Sequence, residues 1–252
     1  MSVSYEVHNG VAWLTIDRPE ARNSLNKAVR DGLFDGVRTF NADDGAKVLV
    51  LTGNGDKAFC AGGDLKEMSS EGLQVPPVDF VPQFGRNITV DKPTIAAVNG
   101  AALAGGFLLA QTCDLCVAST TAVFGITEVR VGRGSPWAAP LPLMIPRRVA
   151  IELALTGAPL SAQRAYEIGF VNQLAEPADL RQAAQSLAEQ IAANAPLSVA
   201  AGKATATLTA EYPLSEAFER AESLWHDVYL SADAQEGMRA FEEKRHPVWK
   251  GR

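Results

Sequence analysis

Ala97-Val-Asn-Gly-Ala-Ala-Leu-Ala-Gly-Gly-Phe-Leu-Leu-Ala-Gln-Thr-Cys-Asp114 is the stretch on which the fold turns. It opens as the end of an apolar run, Pro93-Thr-Ile-Ala-Ala-Val98, that reads as a strand. It breaks at Asn99-Gly100, then becomes Gly/Ala-rich from about Gly105 to Thr112 with the spacing of a helix, and the apolar Leu115–Ala118 follows as a further strand. Strand, helix, strand in so few residues is the grammar of a parallel crossover.

The same grammar extends on both sides. Ser4-Tyr-Glu-Val-His and Val11-Ala-Trp-Leu-Thr-Ile-Asp17 alternate apolar and polar residues around Asn9-Gly10, which reads as a two-residue hairpin. Ser24 is placed to cap a helix running through about Asn41, with Leu25, Val29, Leu33, Val37 and Phe40 on one face. Lys47-Val-Leu-Val-Leu-Thr52 is a buried strand that ends in the turn Gly53-Asn-Gly55. The expected fold class is therefore α/β, a layered core with parallel crossovers. Beyond Pro177 the character changes to Ala-rich helical segments over 178–194, 197–209, 214–230 and 232–243, divided by Pro196, Pro213 and Ser231. This divides the chain into a core over 1–195 and a C-terminal helical region over 196–252. Ser69 to Pro82, rich in proline, is expected to be a surface loop.

Composition bounds the function. The 252 residues hold 47% hydrophobic and 21% charged side chains, the proportions of an ordinary globular protein. Lys and Arg total 23 against 29 Asp and Glu, a formal charge of −6, and basic blocks are short, so no nucleic-acid partner is expected. Met1-Ser-Val-Ser-Tyr-Glu-Val lacks the basic and apolar regions of a signal peptide. The longest apolar run, Ile95 to Ala110, is interrupted and shorter than the roughly 20 residues that span a bilayer, so no membrane partner is expected either. Three cysteines cannot all pair, which suits a reducing, cytoplasmic setting. Cys113-Asp-Leu-Cys116 has no second pair or nearby His to complete a zinc site, so buried thiols and no metal are expected.

Two glycine turns carry the chemistry. Cys60-Ala-Gly-Gly-Asp64 and Ala104-Gly105-Gly106 each stand where a strand hands over to a helix. Helix-start N–H groups lack intrahelical acceptors, and glycine lets a ligand come close. Two such amides converging on one oxygen form an oxyanion hole. Glu128, in Phe124-Gly-Ile-Thr-Glu-Val-Arg-Val-Gly132, is flanked by apolar residues. Poor solvation there would raise its pKa and make it a better base near neutrality. His8, His226 and His246 lie far from these motifs and read as structural or surface residues. No GxGxxG or P-loop occurs, so no free nucleotide cofactor is supported.

Lys57-Ala-Phe-Cys-Ala-Gly-Gly-Asp-Leu-Lys-Glu-Met68 together with Ala97–Asp114 resembles the crotonase, or enoyl-CoA hydratase/isomerase, family, and the resemblance runs from about Val3 to Lys250. It implies a crotonase-like ββα spiral core with a C-terminal helical oligomerisation layer, a homotrimer or dimer of trimers. It also implies an acyl-CoA thioester substrate and no cofactor other than the coenzyme A of that substrate. By the resemblance, the main-chain amides of Gly63 and Gly105 hold the thioester oxygen. Coenzyme A runs along Ala21, Arg22, Ala61, Asp64, Leu65 and Lys66, with Arg22 and Lys66 as partners for its phosphates.

The hydratases of the family carry a glutamate at the position of Leu108 and a second at Glu128. Dienoyl-CoA isomerases and chlorobenzoyl-CoA dehalogenases carry an aspartate where Pro136 stands. What remains is a lone carboxylate over an apolar floor, similar to the Δ3,Δ2-enoyl-CoA isomerases, which also place proline and aromatic residues near Pro136-Trp137. Trp137 reads equally as acyl-pocket lining or core aromatic. The expectation is therefore a Δ3–Δ2 double-bond isomerase. A hydratase that tolerates Leu108 and a non-catalytic acyl-CoA-binding relative are the alternatives. Arg130 and Arg133 are placed to meet a polar acyl group.

Overall fold

The computed structural model describes residues 2–252. The N-terminal hairpin forms as expected, with β1 (Val3–His8) antiparallel to β2 (Val11–Ile16). Asn9 and Gly10 both take positive φ, 52° and 77°, as a tight hairpin turn requires. Helix α1 (Lys27–Ala42) follows, but its cap is Asn26, whose side chain accepts from the Val29 N–H, rather than Ser24. The Ser24 hydroxyl instead accepts a hydrogen bond from Arg18.

Next come β3 (Val48–Gly53), β4 (Ala58–Cys60), α2 (Leu65–Ser70), β5 (Thr94–Val98), β6 (Ala101–Leu103) and α3 (Gly105–Thr112). They are followed by β7 (Leu115–Ser119), β8 (Val123–Gly125), α4 (Leu141–Met144), α5 (Arg147–Thr156), β9 (Leu160–Ser161), α6 (Ala162–Glu167) and β10 (Gln173–Ala175). The chain ends in α7 (Leu180–Ala192), α8 (Pro196–Glu211), α9 (Leu214–Leu230) and α10 (Ala232–Glu242).

The strands divide between two sheets. The larger has the order β1-β2-β3-β5-β7-β10, parallel throughout except for the hairpin. Its side chains obey the two-residue period of a strand buried on both faces. Leu14, Leu49, Leu51, Ala96, Val98 and Ala118 enter the main core. Their neighbours Trp13, Val48, Val50, Ile95, Ala97 and Val117 pack with Leu180, Ala184 and Ala188 of α7 on the other face.

The smaller sheet, β4-β6-β8-β9, was not anticipated from the sequence. Its first three strands run parallel, and each directly follows a strand of the large sheet: β3 then β4, β5 then β6, β7 then β8. The chain thus winds as a spiral that lays one long and one short strand per turn. The carboxyl ends of three neighbouring short strands therefore meet at one edge.

The C-terminal helices form as expected, and α8 is fastened to the core by Lys203. Its ammonium donates to the carbonyls of Val90 and Lys92 and pairs with Asp114 at 2.9 Å. Ser69 to Pro82 has no helix or strand beyond the last turn of α2.

Candidate active site

The turn after β4 brings Ala61, Gly62 and Gly63; the turn after β6 brings Ala104 and Gly105; the turn after β8 brings Glu128. The glycines are demanded by closeness. A Cβ on Gly106 would overlap the Cys60 carbonyl oxygen, so α3 can lie against β4 only because residue 106 has no side chain. A Cβ on Gly62, where φ is +90°, would stand 2.8 Å from the Ala104 Cβ. Ala104 itself sits at φ 51°, ψ −120°, a conformation that costs a non-glycine residue on the order of 1–3 kcal/mol. Its N–H donates to the Gly125 carbonyl at 2.8 Å, tying this strained turn to the strand that leads to Glu128.

Gly63 and Gly105 are adjacent: the place a Gly105 Cβ would occupy is 3.9 Å from the Gly63 nitrogen. Gly105 opens α3, so its N–H has no acceptor within the helix. The carbonyl of Gly62 and the N–H of Asp64 are taken by Leu25 across an isolated bridge, and the Gly63 N–H between them is left over. Two half-exposed glycine amides side by side are what binding a thioester oxygen asks for.

Glu128 lies in a 3-10 turn, Thr127–Val131, closed by Gly132 at φ 65°. Its main-chain carbonyl accepts from the N–H groups of both Gly132 and Arg133, which fixes the backbone under the side chain. Of its carboxylate oxygens, Oε1 accepts from the Trp137 indole N–H at 2.7 Å, while Oε2 is buried without a hydrogen-bond partner. Desolvation lifts this carboxyl above the usual glutamate range, opposed by the indole hydrogen bond. Leu108 is 6% exposed and shares the main core with Trp137, and it offers no ionisable group.

Trp137 is where the sequence reading was incomplete. It is a core aromatic, edge-on to Phe107 at 5.8 Å in a cluster with Phe124 and Phe170. It is also the donor that holds the carboxylate. Its own carbonyl accepts from the Gln111 side chain at 2.9 Å, one turn along α3 from Leu108. The available signal was that a buried indole N–H needs an acceptor. Pro136 opens the short 3-10 turn, Pro136–Ala138, that carries this tryptophan.

The residues expected along coenzyme A are brought together around α2. Asp64 caps α2 through the Lys66 and Glu67 N–H groups and pairs with Arg18 at 2.6 Å, which holds its carboxyl below the usual range. That carboxylate is committed to the scaffold. Glu67, on the next turn, pairs with Arg30 of α1 at 2.7 Å and also accepts from the Lys27 N–H. Arg18 and Arg30 were not singled out by sequence; both brace the segments that flank the Gly62–Gly63 turn. Leu65 and Lys66 are exposed, Ala21 and Ala61 are half-buried, and Arg22, at φ 53°, lines a cavity of about 260 Å³ with Asn54 and Lys57. Cys60, Cys113 and Cys116 are buried and unpaired, and burial pushes the Cys60 thiol up to about 12. Among the described residues no cluster of His, Cys, Asp and Glu has metal-binding geometry, and no helix is long and apolar enough to cross a membrane.

The fold is a two-sheet spiral with paired glycine amides and a largely buried carboxylate along one edge. The family model described as enoyl-CoA hydratase/isomerase matches residues 6–252. An (E)-benzylidenesuccinyl-CoA hydratase from Thauera aromatica is 40% identical over 100% of both chains. A carnitinyl-CoA dehydratase from Salmonella typhi is 38% identical over 95% of this chain and 94% of its own. Among solved structures, an enoyl-CoA hydratase from Mycobacterium marinum superposes with a TM-score of 0.89 at 41% identity, covering 100% of this chain and 99% of its own. An enoyl-CoA hydratase from Bacillus anthracis superposes at 0.91 with 31% identity, covering 100% of both. The chain belongs to the enoyl-CoA hydratase/isomerase family of the crotonase superfamily, and its substrates are CoA thioesters.

Proposed function

We propose that this enzyme shifts a double bond from Δ3 to Δ2 of an enoyl-CoA, with Glu128 as its single proton carrier. The reading rests on one observation. Glu128 has one oxygen held by Trp137 and the other buried and unpartnered, and leucine occupies residue 108. The carboxylate takes a proton from C2 of a 3-enoyl thioester. The electron pair passes through the C3–C4 double bond and the thioester carbonyl, giving a dienolate whose oxygen accepts from the Gly63 and Gly105 N–H groups. The same proton returns to C4, leaving the double bond between C2 and C3. General-base action of this kind supplies on the order of 10²–10⁴-fold, and a dry setting keeps water from protonating the dienolate at other positions.

Coenzyme A is proposed to lie across Ala21, Arg22, Ala61, Asp64, Leu65 and Lys66, its phosphates near the two cations. A trimer or dimer of trimers, built through the helices beyond residue 195, accords with the exposure of Phe218, Leu224 and Tyr229 on α9.

Hydration is the second reading, favoured by the names of the relatives above. The test presents the enzyme with a 3-enoyl-CoA and with crotonyl-CoA, before and after Glu128→Gln. The proposal expects rapid isomerisation of the first, little hydration of the second, and loss of the isomerase in the variant with thioester binding retained. Fast hydration of crotonyl-CoA would transfer the assignment to the hydratases.

A further inference from the structure

We propose that the acyl group carries a free carboxylate, and that Arg133 receives it. The inference deepens the reading above and rests on it for the identity of the thioester substrate. Three arginines are half-buried among the described residues. Two of them face acids: Arg18 pairs with Asp64 and Arg30 with Glu67. Among the described residues Arg133 enters no ion pair. A guanidinium keeps its charge under all ordinary conditions, and its fork of N–H groups matches a carboxylate edge to edge. A half-buried one without an anion is an exception to the way buried charge is normally arranged.

Its placement says what the anion belongs to. The Arg133 main-chain N–H donates to the carbonyl of Glu128 at 2.9 Å, so the residue grows out of the turn that bears the base. Its Nη1 reaches across to the Leu73 carbonyl at 3.0 Å. Leu73 in turn donates to Met68 of α2, and the Met68 sulfur lies 2.7 Å from where a Gly63 Cβ would stand. The guanidinium therefore bridges the base-bearing wall and the wall that continues from the oxyanion turn. Between those holds, Nη2 is buried with no acceptor. On this proposal a thioester held at Gly63 with C2 at Glu128 directs its acyl chain toward the guanidinium. Arg130, three residues earlier, does not compete: its stem lies against Gly157 at the end of α5, about 3.0 Å from where a Cβ would project. A carboxylate on the acyl chain gives Nη2 its missing acceptor and Arg133 its missing counter-charge. A cationic acyl group meets an uncompensated positive charge instead.

The test compares 3-hexenedioyl-CoA, which keeps one free carboxylate, with its methyl ester, in the wild type and in Arg133→Met and Arg133→Lys. The wild type is expected to favour the acid in kcat/KM by about tenfold or more, the range of a hydrogen bond to a charged group. Arg133→Met should lower the constant for the acid at least about tenfold more than that for the ester, and Arg133→Lys should restore part of the difference. Equal use of acid and ester by the wild type overturns the inference. So does an equal fall for both in Arg133→Met, which makes Arg133 a clamp on Leu73 only. If the ester is isomerised while the acid is neither bound nor turned over, the isomerase reading stands and the carboxylate site falls. If neither is turned over but calorimetry shows Arg133-dependent binding of the acid alone, the carboxylate site stands and the isomerase reading falls.

Discussion

The two sheets of this molecule divide stability from chemistry. The large sheet is six strands whose side chains alternate between two apolar layers, and Val48 to Leu51 are at most 1% exposed. Its interior is filled by branched aliphatic residues and contains none of the reacting groups. The small sheet has strands of two or three residues, too short to bury much, and its three parallel members lead into the turns that carry Gly63, Gly105 and Glu128. On the proposed reading, the difference teaches that the spiral uses its long strands to fix positions and its short strands to present backbone amides and one acid at a shared edge. A change in the first sheet should be felt in the folding equilibrium, and a change at the end of the second should be felt in turnover.

The largest expected effect is at Glu128. Glu128→Gln should reduce isomerase kcat by about 10²–10⁴-fold, measured by steady-state kinetics, while thioester affinity changes little. The same variant should melt higher than the wild type at pH 7–8. Burial raises this carboxyl's pKa in the folded protein, so the folded state holds the proton more tightly than the unfolded chain. Its contribution is complete below the ordinary glutamate range and is lost as pH rises through the raised value, leaving an ionised buried group that glutamine removes. A variant that loses both activity and melting temperature would break the contrast between the sheets.

Leu51→Ala, in the middle of the large sheet, should do the reverse. A buried leucine truncated to alanine costs about 2–5 kcal/mol, read from denaturant unfolding, with kcat per folded molecule kept within a small factor. Gly106→Ala sits where the sheets meet and should damage both properties, because the new methyl overlaps the Cys60 carbonyl and forces α3 from β4. Its expression and melting should fall below those of Leu51→Ala.

Trp137→Phe sharpens the comparison more finely. Phenylalanine keeps the packing against Phe107 but removes the indole N–H, which lowers the Glu128 pKa. The base works ionised, so the acidic limb of the pH–rate profile should move to higher pH, with kcat reduced and KM little changed. The smallest effect is at Asn26, whose side chain caps α1. Asn26→Ala should cost ~1 kcal/mol and leave the pH profile in place.

Legibility in the sequence followed the same division. In the large sheet β1 and β2 were readable from their alternation and β3, β5 and β7 as short apolar runs, whereas β10 was not; α1 and the C-terminal helices showed a helical period, and α3 stood out as a Gly/Ala-rich stretch. The α1 cap was displaced from Ser24 to Asn26 because Ser24 is drawn to Arg18. The small sheet was not readable: Ala58–Cys60 and Ala101–Leu103 are too short to show any period. The site was half visible, since the glycine turns and Glu128 stood out by motif and by resemblance. The chain from Gln111 through Trp137 to Glu128 depends on side chains brought together by the spiral, and no spacing rule encodes it.

The central claim, one carboxylate carrying one proton between two carbons, is tested most directly by isotope transfer. A 3-enoyl-CoA deuterated at C2 is converted in ordinary water, and the 2-enoyl product is examined by mass spectrometry and NMR. The account predicts deuterium at C4 in a substantial share of the first-turnover product. A 3-hydroxyacyl product, or a 2-enoyl product whose C4 carries only solvent hydrogen from the first turnover, would contradict it.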